Sequence, residues 1–280
     1  MIDNQFITSK STRLHLQHWQ VAHPKAVVCL IHGMGEHVGR YEHVAKFFSV
    51  HGFSMLGIDL QGHGKTEGKR GHSEGLDSML SDLDLLVKEA VSKYPKLPIF
   101  LYGHSMGGNL VLNYLLRSNT EFNTMKSKLV GVIASAPWVR LPKPPSAFLI
   151  GFAKIMKQIA PKLTQPNGLD VNELSNDPAV ISAYQNDPLV HDRVSVLAGI
   201  ELLMGARFLD GFLGDVPCPL LLTHGTLDSI TSPQGTIELE KRLKGDVTLK
   251  LWPGLKHEIH NEPQQNEVLT FLVEWMGRFI

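Results

Sequence analysis

The chain has 280 residues, 43% of them hydrophobic and 19% charged, with 27 Lys+Arg against 27 Asp+Glu. That length suits one or two domains with a sizeable core, and the apolar content excludes a disordered chain. A balanced charge supplies no net field to hold nucleic acid, so basic-patch functions are set aside. Only two cysteines occur, Cys29 in an apolar run and Cys218 between two prolines. Both read as small buried hydrophobes, with no disulfide framework and no Cys/His spacing for a metal. The opening MIDNQFITSKST lacks the apolar segment of a signal peptide, and no apolar run reaches the ~20 residues of a membrane span. The expectation is a soluble, cytoplasmic protein.

Residues 4–19 read as an antiparallel hairpin at a sheet edge. Ala26–Ile31 reads as a strand buried on both faces. A helix over Tyr41–Val50 follows, with Val44, Phe47 and Phe48 on one stripe. Then come a strand at Ser54–Ile58 and a helix over Ser78–Lys93, with Met79, Leu83, Leu86 and Val87 on its apolar face. A strand at Ile99–Tyr102, a helical pattern at Asn109–Leu116 and a strand at Leu129–Ala134 continue the alternation. It resumes at Leu220–Thr223 and Val247–Leu251, and a helix over Asn266–Phe279 ends the chain. Strand–helix alternation predicts an α/β fold: a mostly parallel central sheet with helices on both faces.

Between about Pro137 and Pro217 no strand is evident, and a second helical pattern runs from about Val194 to Phe212. The expected layout is core over 1–137, a helical cap insertion over 138–216, and core again over 217–280. Within the cap, Phe148, Leu149, Phe152, Ile155, Met156 and Ile159 share a helical stripe, expected to pack on the body. The competing reading is a lipid-facing helix with Lys154 and Lys157 near headgroups, which makes the cap the place for peripheral membrane contact.

Gly103-His104-Ser105-Met106-Gly107 is a G-x-S-x-G directly between a predicted strand and a predicted helix. Such a turn holds a serine hydroxyl clear of the sheet and aims the next backbone N–H, that of Met106, at developing negative charge. A serine nucleophile needs a base and the base an orienting acid, in the chain order Ser, Asp, His on this fold. Asp228 follows the strand Leu220–Thr223, and His257 follows Val247–Leu251, with His260 as the rival base. The loop His32-Gly33-Met34-Gly35 after the first buried strand offers the Met34 N–H as the second oxyanion donor. Asp59 precedes the serine and is set aside, and Gly62-His63-Gly64 reads as a structural turn.

These residues resemble the monoacylglycerol lipase and lysophospholipase branch of the α/β-hydrolase superfamily. The shared stretches are HGMGEHVGRYEHVA (32–45), GIDLQGHGKTEGKRG (57–71), YPKLPIFLYGHSMGG (94–108), YQNDPLV (184–190), HGTLDSIT (224–231) and KHEIHNE (256–262). The resemblance implies an α/β-hydrolase fold with an inserted cap, and Ser105, Asp228 and His257 as the triad. It also implies Met34 and Met106 as oxyanion donors, and a polar pocket for a glycerol end at Glu36, Arg40, Tyr184 and His260, which moves His260 away from the base. The expected reaction is cleavage of a monoacylglycerol with no cofactor, the expected partners being the lipid ester and, through the cap, a membrane surface, with no nucleic acid. A lysophospholipase or short-chain carboxylesterase with the same triad is the alternative. A lipid-binding protein without turnover is more distant, since such proteins usually carry a broken triad.

Overall fold

Each apolar run becomes a strand of one eight-stranded sheet in the computed structural model, which describes residues 1–9, 12–118 and 122–280. The hairpin strands β1 (Ile2–Ser9) and β2 (Thr12–Trp19) pair antiparallel from Ile2↔Trp19 to Ser9↔Thr12; their turn, residues 10 and 11, lies outside the described residues. The central strands are β3 (Ala26–Ile31), β4 (Phe53–Ile58), β5 (Ile99–His104) and β6 (Leu129–Ser135). The sheet order is completed by two strands beyond the insertion, β10 (Leu220–Gly225) and β12 (Val247–Trp252). The order is β1-β2-β4-β3-β5-β6-β10-β12; β2 runs antiparallel to β4, and every pair from β4 to β12 is parallel.

Alternation along β3 explains its unbroken apolar run. Val27, Cys29 and Ile31 join the core under the helices α2 (Leu76–Lys93) and α3 (Met106–Leu116). Ala26, Val28 and Leu30 join the core under α1 (Glu42–Val50) and α9 (Gln265–Gly277). With period 2 and helices on both faces, a strand has no polar side to show. Burying each such aliphatic side chain contributes about 1.5–3 kcal/mol. Asp59, at the end of β4, accepts from the His15 ring and from the Val38 and Lys65 amides, each at 2.8 Å. It ties the hairpin to the segment ahead of α1.

From β3 the chain steps outward one way to β4 and later the other way to β5. That reversal opens a crevice at the carboxyl ends of β3 and β5, where open α/β sheets bind ligands. The loops His32–Met34 and His104–Met106 both leave the sheet there.

Between β6 and β10 lie α5 (Ala147–Ile159), α6 (Pro178–Asn186) and α7 (Val196–Gly211). Contrary to the sequence reading, this stretch also has strands: β7 (Thr164–Pro166) pairs antiparallel with β8 (Arg193–Ser195). A further short strand, β9 (Gly214–Asp215), pairs with β11 (Leu243–Lys244). Three residues are too few to show a period, so such strands leave no pattern. The helix α6 also goes unread in the sequence. Asp177 caps it and Pro178 starts it. Elsewhere α4 (Asn123–Lys126) and α8 (Pro233–Glu240) complete the α-helices among the described residues. Cys29 is sealed in the core and Cys218 only half-buried; both are free thiols. No helix among the described residues is long and apolar enough to cross a membrane.

Most of the stripe on α5 is exposed, against the expectation that it packs on the body, and Met156 is its half-buried member. Phe148 is 85% exposed and Ile159 72%, while Ile150, on the side shared with the lysines, is the buried residue at 6%. The helix rests on α7, to which a Lys157–Glu201 ion pair ties it.

Candidate active site

Ser105 stands in the turn between β5 and α3 with φ 56° and ψ −114°, a conformation non-glycine residues rarely adopt. Neighbouring bonds hold it there. Its N–H donates to the Ser135 carbonyl at 2.9 Å, and its own carbonyl accepts from Trp138 N–H at 3.1 Å and Asn109 N–H at 2.9 Å. The flanking glycines are required by crowding. A Cβ on Gly103 would stand 2.2 Å from the Gly107 carbonyl oxygen, and one on Gly107 would stand 2.2 Å from that of Ile31.

Three loops bring the polar groups together. Ser105 Oγ lies 2.8 Å from His257 Nε2, and His257 Nδ1 lies 2.7 Å from Asp228 Oδ2. The Asp228 carboxylate is fixed on both sides. Its Oδ1 accepts from the Ile230 and Thr231 amides at 2.8 and 2.9 Å. Its Oδ2 also meets the His224 ring at 2.8 Å and the Thr231 hydroxyl at 2.9 Å. Burial alone would raise the Asp228 pKa, but the two imidazoles and these hydrogen bonds hold it far below the usual carboxylate range. Burial alone would lower the His257 pKa, and the Asp228 carboxylate more than reverses this, leaving it raised above 6.5. The neutral imidazole is the form that can accept a proton. Hydrolysis should therefore rise with pH through a midpoint above 6.5; a kcat/KM profile already flat from pH 5.5 upward would contradict this.

The loop expected to carry the second oxyanion donor lies against Ser105. A Cβ on Gly33 would come within 3.3 Å of Ser105 Cβ. Met106 starts α3, so its N–H has no carbonyl of its own helix to bond. Met34 and Met106 both line a cleft of about 730 Å³ that opens at Ser105. The cleft shares Met34, Trp138, Leu141 and Lys143 with an apolar chamber of about 430 Å³ beneath α5, walled by Ile150, Met156, Val194, Ile200 and Leu203. Volumes of this size are those of ligand pockets.

The four residues expected at a glycerol end do gather, behind the triad and not on the cleft wall. Glu36 accepts from Gly33 N–H at 2.6 Å, from the Tyr41 hydroxyl at 2.8 Å and from Arg40 at 2.5 Å. Arg40 also grips Glu258 with two bonds, at 2.6 and 2.8 Å, and its guanidinium lies 4.7 Å from the centre of the Tyr184 ring. Glu36 and Arg40 thus hold the Gly33 loop and each other, a supporting part that the motif does not disclose. His260 is not the base. It is sealed from solvent, stacked on Tyr41 at 4.8 Å, and burial pushes its pKa down to about 3. Neither of its ring nitrogens has a hydrogen-bond partner among the described residues. Exchanging Arg40 for methionine would leave the buried Glu36 and Glu258 carboxylates without a cation. Urea unfolding should show a loss of about 3–5 kcal/mol, partly restored by adding Glu258→Gln; a loss under about 1 kcal/mol would contradict this.

Two contributors carry no role in the sequence reading. His224 is the second imidazole on Asp228, four residues before it on the same strand end. His104 lies edge-on to His260 and 4.8 Å from the His257 ring, with burial and its imidazole neighbours keeping it neutral. The signal for both is position, since each sits inside a motif that the resemblance already spans.

Residues 22–264 match the family described as Serine aminopeptidase, S33. The monoacylglycerol lipase of Mycolicibacterium smegmatis is 38% identical over 90% of this chain and 88% of its own. An uncharacterised abhydrolase domain-containing protein of Dictyostelium discoideum is 34% identical over 98% of this chain, which spans only 28% of that protein's length. Among solved structures, the monoacylglycerol lipase of Paleococcus ferrophilus superposes with a TM-score of 0.84 at 34% identity, covering 95% of this chain and 99% of that one. With the sheet order, the elbow serine and the matched span in agreement, the chain belongs to the S33 family of α/β-hydrolases, in the branch that holds the monoacylglycerol lipases.

Proposed function

We propose that the protein is a serine ester hydrolase that cleaves monoacylglycerols to a fatty acid and glycerol. The observation that carries this reading is the Ser105–His257–Asp228 chain of 2.8 and 2.7 Å contacts, with Ser105 on a cleft that shares its wall with an apolar chamber. Ser105 Oγ attacks the ester carbonyl as His257 Nε2 takes its proton. The oxyanion is held by the Met34 and Met106 amides, each donor lowering the barrier by about 3–4 kcal/mol. Collapse breaks the acyl–oxygen bond, and His257 returns the proton to the leaving glycerol. A water molecule deprotonated by His257 then cleaves the acyl-enzyme, releasing the fatty acid and free Ser105. The reaction balances without a cofactor.

The chamber suits one acyl chain. The alcohol end is assigned to the cleft at Ser105, with Glu36, Arg40, Tyr184 and His260 behind it as the support of the Gly33 loop and not as groups that meet the substrate. Peptidase chemistry, which the family description names, would need carboxylates for a free amine. Asp170 and Glu173 do line the cleft. Glu173, however, is held by Ser229 and faces Lys256, and Asp170 caps the 3-10 helix Val171–Glu173. The outward apolar face of α5 is assigned to contact with a lipid surface, and Phe148→Glu should reduce co-sedimentation with phosphatidylcholine vesicles. The deciding test is a substrate panel. Turnover of 1-monoacylglycerol should exceed that of lysophosphatidylcholine and of a short p-nitrophenyl ester. Preference for lysophosphatidylcholine would make the protein a lysophospholipase, and preference for the short ester a carboxylesterase.

A further inference from the structure

The insertion and the oxyanion loop are joined by a clasp behind Gly33–Met34. His37 Nδ1 accepts from Gly39 N–H at 3.2 Å, capping the 3-10 helix Val38–Tyr41. An accepting nitrogen carries no proton, so the ring proton sits on Nε2, which donates to Asp187 Oδ2 at 2.8 Å. Asp187 Oδ1 accepts from Leu189 N–H at 2.8 Å. Nearby, His191 N–H donates to the Gly35 carbonyl at 2.9 Å, and the His191 ring bonds the Gly62 carbonyl at 3.0 Å. The loop itself is poorly constrained by its sequence, with glycines on either side of Met34 and φ 77° at Gly35. Glu36 fixes its first half through Gly33. The second half is gripped from the insertion, by Asp187 through His37 and by His191 through Gly35.

We propose that Asp187 is a positioning residue for the hydrolysis: by orienting His37, it fixes the loop that carries the Met34 amide in register with Ser105. This deepens the proposed function and rests on Met34 being an oxyanion donor. An oxyanion hole works through donors already in place, so a loop free to drift loses rate without losing substrate affinity.

The side chains of His37 and Asp187 are only 9% and 26% exposed, so breaking their bond costs stability as well as rate. Asp187→Asn separates the two roles. The amide oxygen keeps the Leu189 N–H, which turns the new NH₂ toward His37 Nε2–H and sets two donors face to face. To accept, His37 must move its proton to Nδ1, where it meets Gly39 N–H and the cap is broken. The expected result is a fall in kcat of about tenfold, part of the 10²–10³ that one oxyanion donor supplies. KM should stay within about twofold, as expected when only transition-state binding is lost. Affinity for an acyl trifluoromethyl ketone, whose adduct oxygen occupies the oxyanion position, should fall by the same factor as kcat. His37→Ala should reproduce the pattern and serves as the second variant. Unchanged ketone affinity in both variants overturns the proposal, whether or not activity falls. If the parent protein neither binds the ketone nor labels at Ser105 with a fluorophosphonate, the reading of the site itself has failed.

Discussion

Ser105→Ala is expected to abolish ester turnover, with kcat falling by about 10⁶ and the melting temperature staying within a few degrees of the parent. The hydroxyl is the group His257 Nε2 meets at the mouth of the cleft. The Thr231 hydroxyl approaches the ring only at Nδ1, at 3.4 Å on the side of Asp228, and cannot replace it. Alanine leaves the backbone conformation as it is, so the strain at φ 56° persists. A non-glycine residue held in such a conformation costs about 1–3 kcal/mol. Ser105→Gly should therefore be equally inactive yet unfold at higher temperature than Ser105→Ala. Activity above about 1% in either variant would be far more than loss of the nucleophile allows, and would remove Ser105 from the mechanism.

Asp228→Asn is expected to lower kcat by about 10⁴. The orientation of the new amide is dictated by its surroundings. The Ile230 and Thr231 amides both donate to Oδ1, so the oxygen must stay there and the NH₂ must occupy the Oδ2 position. There it faces His257 Nδ1 and His224 Nε2. His257 can satisfy a donor only by accepting at Nδ1, which places its proton on Nε2 and closes the atom that should receive the serine proton. KM should change little. A fall in kcat of less than tenfold would show that the tautomer is not controlled by this carboxylate.

The fold was readable because its strands are buried on both faces. Ala26–Ile31 and Leu220–Thr223 show unbroken apolar runs for the same reason that two cores meet at the sheet. The elements that stayed hidden are short or decided by remote partners. Thr164–Pro166 is a strand because Arg193–Ser195 lies beside it, a fact carried by neither segment. On α5 the period was legible and its direction was not: a stripe of Phe and Ile tells which residues share a face, and Ile150 beneath shows which face meets the body. At the site, chain order pointed to Ser105, Asp228 and His257, and the loops bring them into contact. Chain order could not separate a residue that faces the cleft from one that supports it. Glu36 and Arg40 occupy a motif shared with the family, yet their polar atoms bond the oxyanion loop and Glu258.

The insertion leaves the sheet after β6 and returns at β10, and these two strands are parallel neighbours, registered from Leu220↔Val132 to Thr223↔Ser135. The spacing between the elbow and the loops bearing the acid and base is therefore set by the sheet ladder, independently of how long or greasy the intervening segment is. Selection can redraw the acyl compartment by lengthening, shortening or recolouring that segment while the reacting trio keeps its alignment. Diversification of lipid preference among such chains then becomes a matter of exchanging the lid, with the clasp at Asp187 marking the point where that freedom ends.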